Sequence, residues 1–196
     1  MTHDVKADLA VGGDLSMREG LQAKLSMMTI FRVECFDKDG HLKWIEEVPN
    51  LIVNEGLDDI LDKYLKGSAY TAAFSVGLID NAAFDILGIE DDAAGITDTT
   101  TSGSNGWGEL TEYDEAVRQT LTLGTVARQS VDNSASKASF SINATVTING
   151  AFVVSGDTVK LGTTGILYGE ASFASPRAAA NGDTLNVTAT LTAASA

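Results

Sequence analysis

The sequence predicts a mainly β fold: a β-sandwich of jelly-roll or Greek-key type, with one amphipathic α-helix and an extended N-terminal arm. Three observations predict it. In residues 139–148, Phe140, Ile142, Ala144, Val146 and Ile148 alternate with Ser, Asn and Thr, and residues 184–192 repeat the pattern through Leu185, Val187, Ala189 and Leu191. That period of two belongs to strands with one buried face. Charge also thins along the chain, from 18 acidic and 8 basic residues in 1–96 to 9 and 5 in 97–196, and Thr, Ser, Asn, Gly and Ala take its place. Such a palette suits strands with neutral polar outer faces. Finally, a sustained helical period occurs in one place, residues 54–66.

Taken in order, residues 1–26 hold Leu9, Val11, Leu15 and Leu21 among Gly12, Gly13 and scattered charges, without a sustained period. They form an arm with no core of its own, and the rest of the chain, 27–196, is expected to be a single sandwich domain. Phe31, Val33 and Cys35 alternate with Arg32 and Glu34, a strand that turns at Asp37-Lys38-Asp39-Gly40 and returns through 41–48 until Pro49. A helix is expected over 54–66, with Asn54 as N-cap, Glu55, Asp58 and Asp59 in the first turn and Gly67 as its stop. Leu57, Ile60, Leu61, Tyr64 and Leu65 recur at i, i+3, i+4, i+7 and i+8, which predicts an apolar stripe on the core with Asp58, Asp59, Asp62, Lys63 and Lys66 facing outward.

Residues 73–80 read as a mostly buried strand, and 81–106 as a long acidic loop, of the length found at interfaces or in mobile segments. Residues 118–123 and 125–131 read as strands separated by Gly124. After the clean strand at 139–148, Asn149-Gly150 supplies a hairpin turn with Ala151-Phe152-Val153-Val154 as the return. Residues 165–173 form a further strand, 176–183 a loop and 184–192 the last strand.

The chain of 196 residues carries a net charge of −14. That excess of carboxylates repels phosphate backbones and argues against a nucleic-acid partner. No apolar run reaches the roughly 18 residues of a membrane helix, and the first residues lack a signal-peptide layout, so no membrane partner and synthesis in the cytoplasm are expected. A single cysteine, Cys35, excludes an intramolecular disulfide framework, and its alternation with Phe31 and Val33 points to core packing. Two histidines, His3 and His41, leave little for a His-ligated metal or a Ser-His pair. The acidic pairs Glu46-Glu47, Asp58-Asp59 and Glu90-Asp91-Asp92 read as solvated surface, since a carboxylate hydrolase needs two carboxyls facing across a cleft rather than adjacent in sequence. Asp37-Lys38-Asp39-Gly40 lacks the remaining ligands of a calcium loop. Gly103-Ser104-Asn105-Gly106-Trp107-Gly108 lacks the Lys of a phosphate-binding loop and reads as a turn delivering Trp107 to a core or an interface. The expectation is a non-enzyme without metal or cofactor.

The order of segments carries a resemblance. Trp44-Ile45-Glu46-Glu47, Asn50-Leu51-Ile52-Val53-Asn54-Glu55-Gly56-Leu57, Phe74-Ser75-Val76-Gly77-Leu78-Ile79 and Trp107-Gly108-Glu109-Leu110-Thr111-Glu112-Tyr113 resemble small structural proteins of tailed bacteriophages. So do residues 118–124, 139–145 and 162–169, and the likeness spans roughly residues 31–192. The resemblance implies a virion component: a decoration or cement protein on the capsid exterior, bridging neighbouring major capsid subunits as a dimer or trimer. Leu9, Val11 and Leu15 of the arm, with Trp107, are the candidate interface residues on that reading. The alternative is a tail or fibre component recognising a host receptor or glycan, for which Trp107, Tyr113 and Tyr168 would line a concave aromatic patch.

Overall fold

In the computed structural model, which describes residues 25–70, 73–82, 84–97 and 105–195, the chain is a sandwich of two antiparallel sheets with one helix. The strands are β1 (Leu25–Phe36), β2 (Leu42–Pro49), β3 (Leu51–Ile52), β4 (Phe74–Asp80), β5 (Gly108–Leu110), β6 (Gln119–Thr120), β7 (Ser130–Asp132), β8 (Ala138–Ser141), β9 (Val146–Ser155), β10 (Ile166–Ala179) and β11 (Thr184–Ser195). One sheet runs β2-β1-β11-β7, with β8 also on β11; the other runs β3-β10-β9-β4-β5, with β6 also on β4. The helix α1 (Asn54–Ile60) continues into a π-helical turn over Leu61–Leu65 and ends at Gly67, whose φ of +80° is the left-handed value glycine adopts freely. Among the described residues, no helix is long and apolar enough to cross a membrane.

The register explains the first sheet. Phe31 faces Ala189, Val33 faces Val187 and Cys35 faces Leu185. All six are fully buried, and burial pushes the Cys35 thiol pKa up to about 12, with Asp183 adding to the rise. At the hairpin, the Asp37 carboxylate accepts the N–H groups of Asp39 (2.9 Å) and His41 (2.8 Å), so the local convergence of Asp37, Asp39 and His41 is that of a turn.

The second sheet is covered on both sides, which makes the molecule three layers deep. Val76, Leu78, Ile148, Ala151 and Val153 face the first sheet, while Ile79, Phe152, Val154 and Leu167 face outward into a second cluster with Ala93, Ile96 and Trp107. A strand buried on both faces loses its alternation, which is why Ala151-Phe152-Val153-Val154 is continuously apolar. Gly77, opposite Phe152, leaves the room that the ring fills.

Several expectations are corrected. The single strand foreseen at 139–148 is two strands in different sheets: β8 ends at Ser141, the chain crosses at Asn143–Thr145, and β9 begins at Val146. The crossing is pinned by the Ile142 N–H donating to the Asp183 carbonyl (2.8 Å) and the Asn143 N–H donating to that of Glu112 (3.2 Å). Asn149-Gly150 is no hairpin turn but the middle of β9, where Gly150 lets the Ala171 carbonyl pass through the space a Cβ would take. Between 118 and 131 only β6 and β7 are strands, because Leu121–Val126 cross from one sheet to the other. β10 runs through the expected loop start at Pro176, which sits in an unpaired bulge where its missing N–H costs nothing.

Candidate docking surface

The helix keeps its expected faces only in part: Asp58 and Lys66 are exposed and Ile60 is half-buried as expected, whereas Leu57, Leu61, Tyr64 and Leu65 are exposed and Asp59 and Lys63 face the sandwich. Gly56 packs against the Tyr168 backbone so closely that a Cβ on it would stand 2.8 Å from the Tyr168 Cα. Beside it the Glu55 carboxylate accepts the N–H groups of Leu167 (2.7 Å) and Ala93 (2.9 Å), tying the helix start to β10 and to the 84–97 loop. One turn on, the Tyr168 hydroxyl donates to Asp59, whose other oxygen lies 3.8 Å from the Lys63 ammonium. The body-facing positions are therefore 55, 56, 59 and 63, a polar and small-residue stripe. Asn54 is the first helical residue rather than the cap: its backbone N–H donates to the Ile89 carbonyl (2.8 Å) and its side chain to Glu90 (2.7 Å).

The apolar stripe consequently faces outward. Leu57 is 39% exposed, Leu61 54%, Tyr64 76% and Leu65 80%. Ile89, 53% exposed, extends this surface beside the helix start. Large apolar side chains clustered at helical spacing on a surface mark a face that takes a partner.

Next to the helix the sandwich is open at one end. A cavity of about 320 Å³ lies between the sheets there, walled by Met27, Leu191, Phe74, Val153 and Tyr168, with Ile60 and Tyr64 at the helix side. Its walls are overwhelmingly apolar. The Asn50 Oδ1 in its wall is buried and lacks a hydrogen-bond donor among the described residues.

Two polar clusters are buried in the fold. Glu109 and Arg118, both side chains fully buried, form a bidentate pair at 2.9 and 2.7 Å. Arg118 also donates to the Gly162 carbonyl (2.9 Å), stacks its guanidinium 5.2 Å from the Phe152 ring centre and has no partner for Nη1 among the described residues. In the second cluster the Asp91 carboxylate accepts the Trp107 indole N–H (3.1 Å) and the Gly88 N–H (3.1 Å), and the Gly88 N–H also reaches Glu170 (3.2 Å). Burial pushes the Glu170 carboxyl up to about 9, with the neighbouring Asp91 carboxyl adding to the rise. Asp91 is thus no solvated acid, and Glu46, paired with Arg177, is buried too. Sequence reasoning assigned no role to Glu109, Arg118 or Glu170; Glu170 and Glu109 sit next to apolar strand residues, and that placement is the available signal.

Of the candidate interface residues, Leu9, Val11 and Leu15 lie outside the described residues. Trp107 goes to the core, fully buried with its ring 5.1 Å from that of Phe152. Trp107 and Tyr113 are buried in separate clusters and Tyr168 lines the cavity, so the three do not share one concave aromatic patch. No protein-family model matches the chain, and no curated protein matches it.

Proposed function

We propose that this chain is a structural protein of a phage particle, a decoration or cement protein that docks on the outer surface of the capsid shell and bridges neighbouring major capsid subunits. The observation that carries the reading is the outward apolar face of α1 and of the π-helical turn that continues it. A helix held by Glu55, Gly56 and Asp59 presents Leu57, Leu61, Tyr64 and Leu65 to a partner instead of to its own core. An apolar helical face seats in an apolar groove, and each Å² removed from water there contributes about 25 cal/mol. The likeness of residues 31–192 to small virion proteins supplies the class of partner. On this reading the contact is mechanical, repeated over many copies, and the protein follows the symmetry of the shell as a dimer or trimer.

Copy number in purified particles tests the reading, by quantitative mass spectrometry against the major capsid protein. The expected result is a ratio at parity or a simple fraction of it. A few copies per particle would move the protein to the tail, and its absence would overturn the virion assignment.

A further inference from the structure

Segment 84–97 is fastened to β10 and α1 by a small set of hydrogen bonds, with an acid pair at their centre. The Gly88 N–H points between two carboxyls, 3.1 Å from Asp91 and 3.2 Å from Glu170 of β10, while the Trp107 indole N–H goes to Asp91. Glu170 has no exposed surface, and its Oε2 has no partner among the described residues. A carboxylate left ionised in that state is costly, whereas a carboxyl that keeps its proton can donate from Oε2 to its neighbour. The elements packed around Glu170 supply no free countercharge. β9 faces it with Phe152 and β3 with Leu51, and Arg118, across the Phe152 ring, is paired with Glu109. The helix α1 brings Glu55, held by two backbone N–H groups, and Asp59, held by Tyr168 and Lys63. The segment's other acids, Asp85, Glu90 and Asp92, add no positive charge. Further fastenings run to α1: the Ala93 N–H donates to Glu55 (2.9 Å), and the Ile89 carbonyl and the Glu90 carboxylate accept from Asn54 (2.8 and 2.7 Å).

We propose that segment 84–97 is a proton-held latch: Glu170 keeps a proton that joins its carboxyl to that of Asp91, and opening of the segment gives that proton up to water. The fold makes the two events one. Lifting the segment exposes Glu170, which then returns to its ordinary value of 4.5, whereas the closed segment holds the proton up to about pH 9. Between those values the open form binds one proton fewer, so the equilibrium constant for opening rises about tenfold per pH unit. Acid closes the latch and alkali loosens it. The start of α1 loses its anchors with the segment, because Asn54 and Glu55 are bonded to Ile89, Glu90 and Ala93. Ile89 borders the outward apolar face, so on the docking reading above the full face exists only in the closed form. The latch itself is a property of the isolated chain and stands apart from that reading.

Native-state hydrogen exchange of the full chain at pH 6 and pH 8, corrected for intrinsic exchange rates, tests it. In the parent, the amides of Gly88, Ala93 and Asn54 are expected to be less protected than those of the β1–β11 ladder at both pH values, and to lose about a hundredfold in protection between pH 6 and pH 8. Glu170→Gln, which keeps a donor toward Asp91 and does not titrate, is expected to show no such loss. Glu170→Met, equally unable to titrate, serves if the first variant fails to fold. Protection equal to that of the β1–β11 ladder, and falling in step with it, would mean that the segment opens only when the whole protein unfolds, and would overturn the latch. Protection independent of pH in the parent would overturn it too, as would a hundredfold loss retained in the variant.

Discussion

Glu170 has no exposed surface and lies against Asp91, and the two carboxyls can share that space only if one keeps a proton. The ordinary value for Glu170 is 4.5 and the folded value is about 9. Below pH 4.5 the folded and unfolded states both bind the proton, and the stability is fully present. Between 4.5 and 9 the folded state alone binds it, so stability falls as pH rises, by at most about 1.4 kcal/mol per unit. Glu170→Gln, which keeps a donor toward Asp91 and does not titrate, is expected to melt higher than the parent at pH 8.5, with the gap closing at pH 5. Thermal melts at the two pH values check it. On the acid side, the hydrogen bond from Lys137 holds the Glu34 carboxyl below the usual range, so its contribution is lost as pH falls through that lowered value. The Glu109–Arg118 pair gives a second prediction. Glu109→Ala strands a buried guanidinium and should cost about 3–5 kcal/mol in urea unfolding, whereas replacing both partners with apolar residues should cost far less.

At the scale of elements, α1 supplies a prediction whose sign runs against helix propensity. Ala is better than Gly inside a helix by about 1 kcal/mol, yet Gly56→Ala should destabilise the protein, because its Cβ meets the Tyr168 backbone rather than a movable side chain. A lower melting temperature than the parent's checks it; a higher one would mean that the helix stands off the sheet. The same helix shows where sequence reasoning stopped. Its existence, its acidic first turn and its Gly67 stop were legible, because they depend on local chemistry. Its orientation was not: the apolar period implied an inward Leu61, but the glycine contact and three hydrogen bonds to the Glu55 and Asp59 carboxylates outweigh the stripe. Strand existence was legible for β1, β2 and β11, each with alternation or a closing turn, and for β4 as a short apolar run. The crossing at Asn143–Thr145 was hidden because alternation continues unbroken while the chain changes sheets. Gly150 misled because a glycine needed for close approach and one needed for a turn look alike in sequence.

For the whole molecule, two sheets account for a core that alternation could announce, and the third layer accounts for what it could not. Residues 81–106 read as an acidic loop, yet Ala93 and Ile96 cover the outer face of the second sheet with Trp107, and Asp91 is buried, accepting the Trp107 indole N–H. The acid count suggested solvent, while the hydrogen-bond geometry that makes Asp91 structural exists only after folding. The candidate docking face was half visible: its residues were named, and their direction was not. The account rests on that face being a surface for the shell, and Leu61 is its central side chain. The most direct measurement is co-sedimentation of Leu61→Asp with capsids that lack the native protein, on material whose melt is first compared with the parent's. We predict a melting temperature within a few degrees of the parent's, since an exposed substitution costs about 0.5 kcal/mol or less, together with at least a tenfold loss of capsid binding. A folded variant that binds capsids as the parent does would contradict the account.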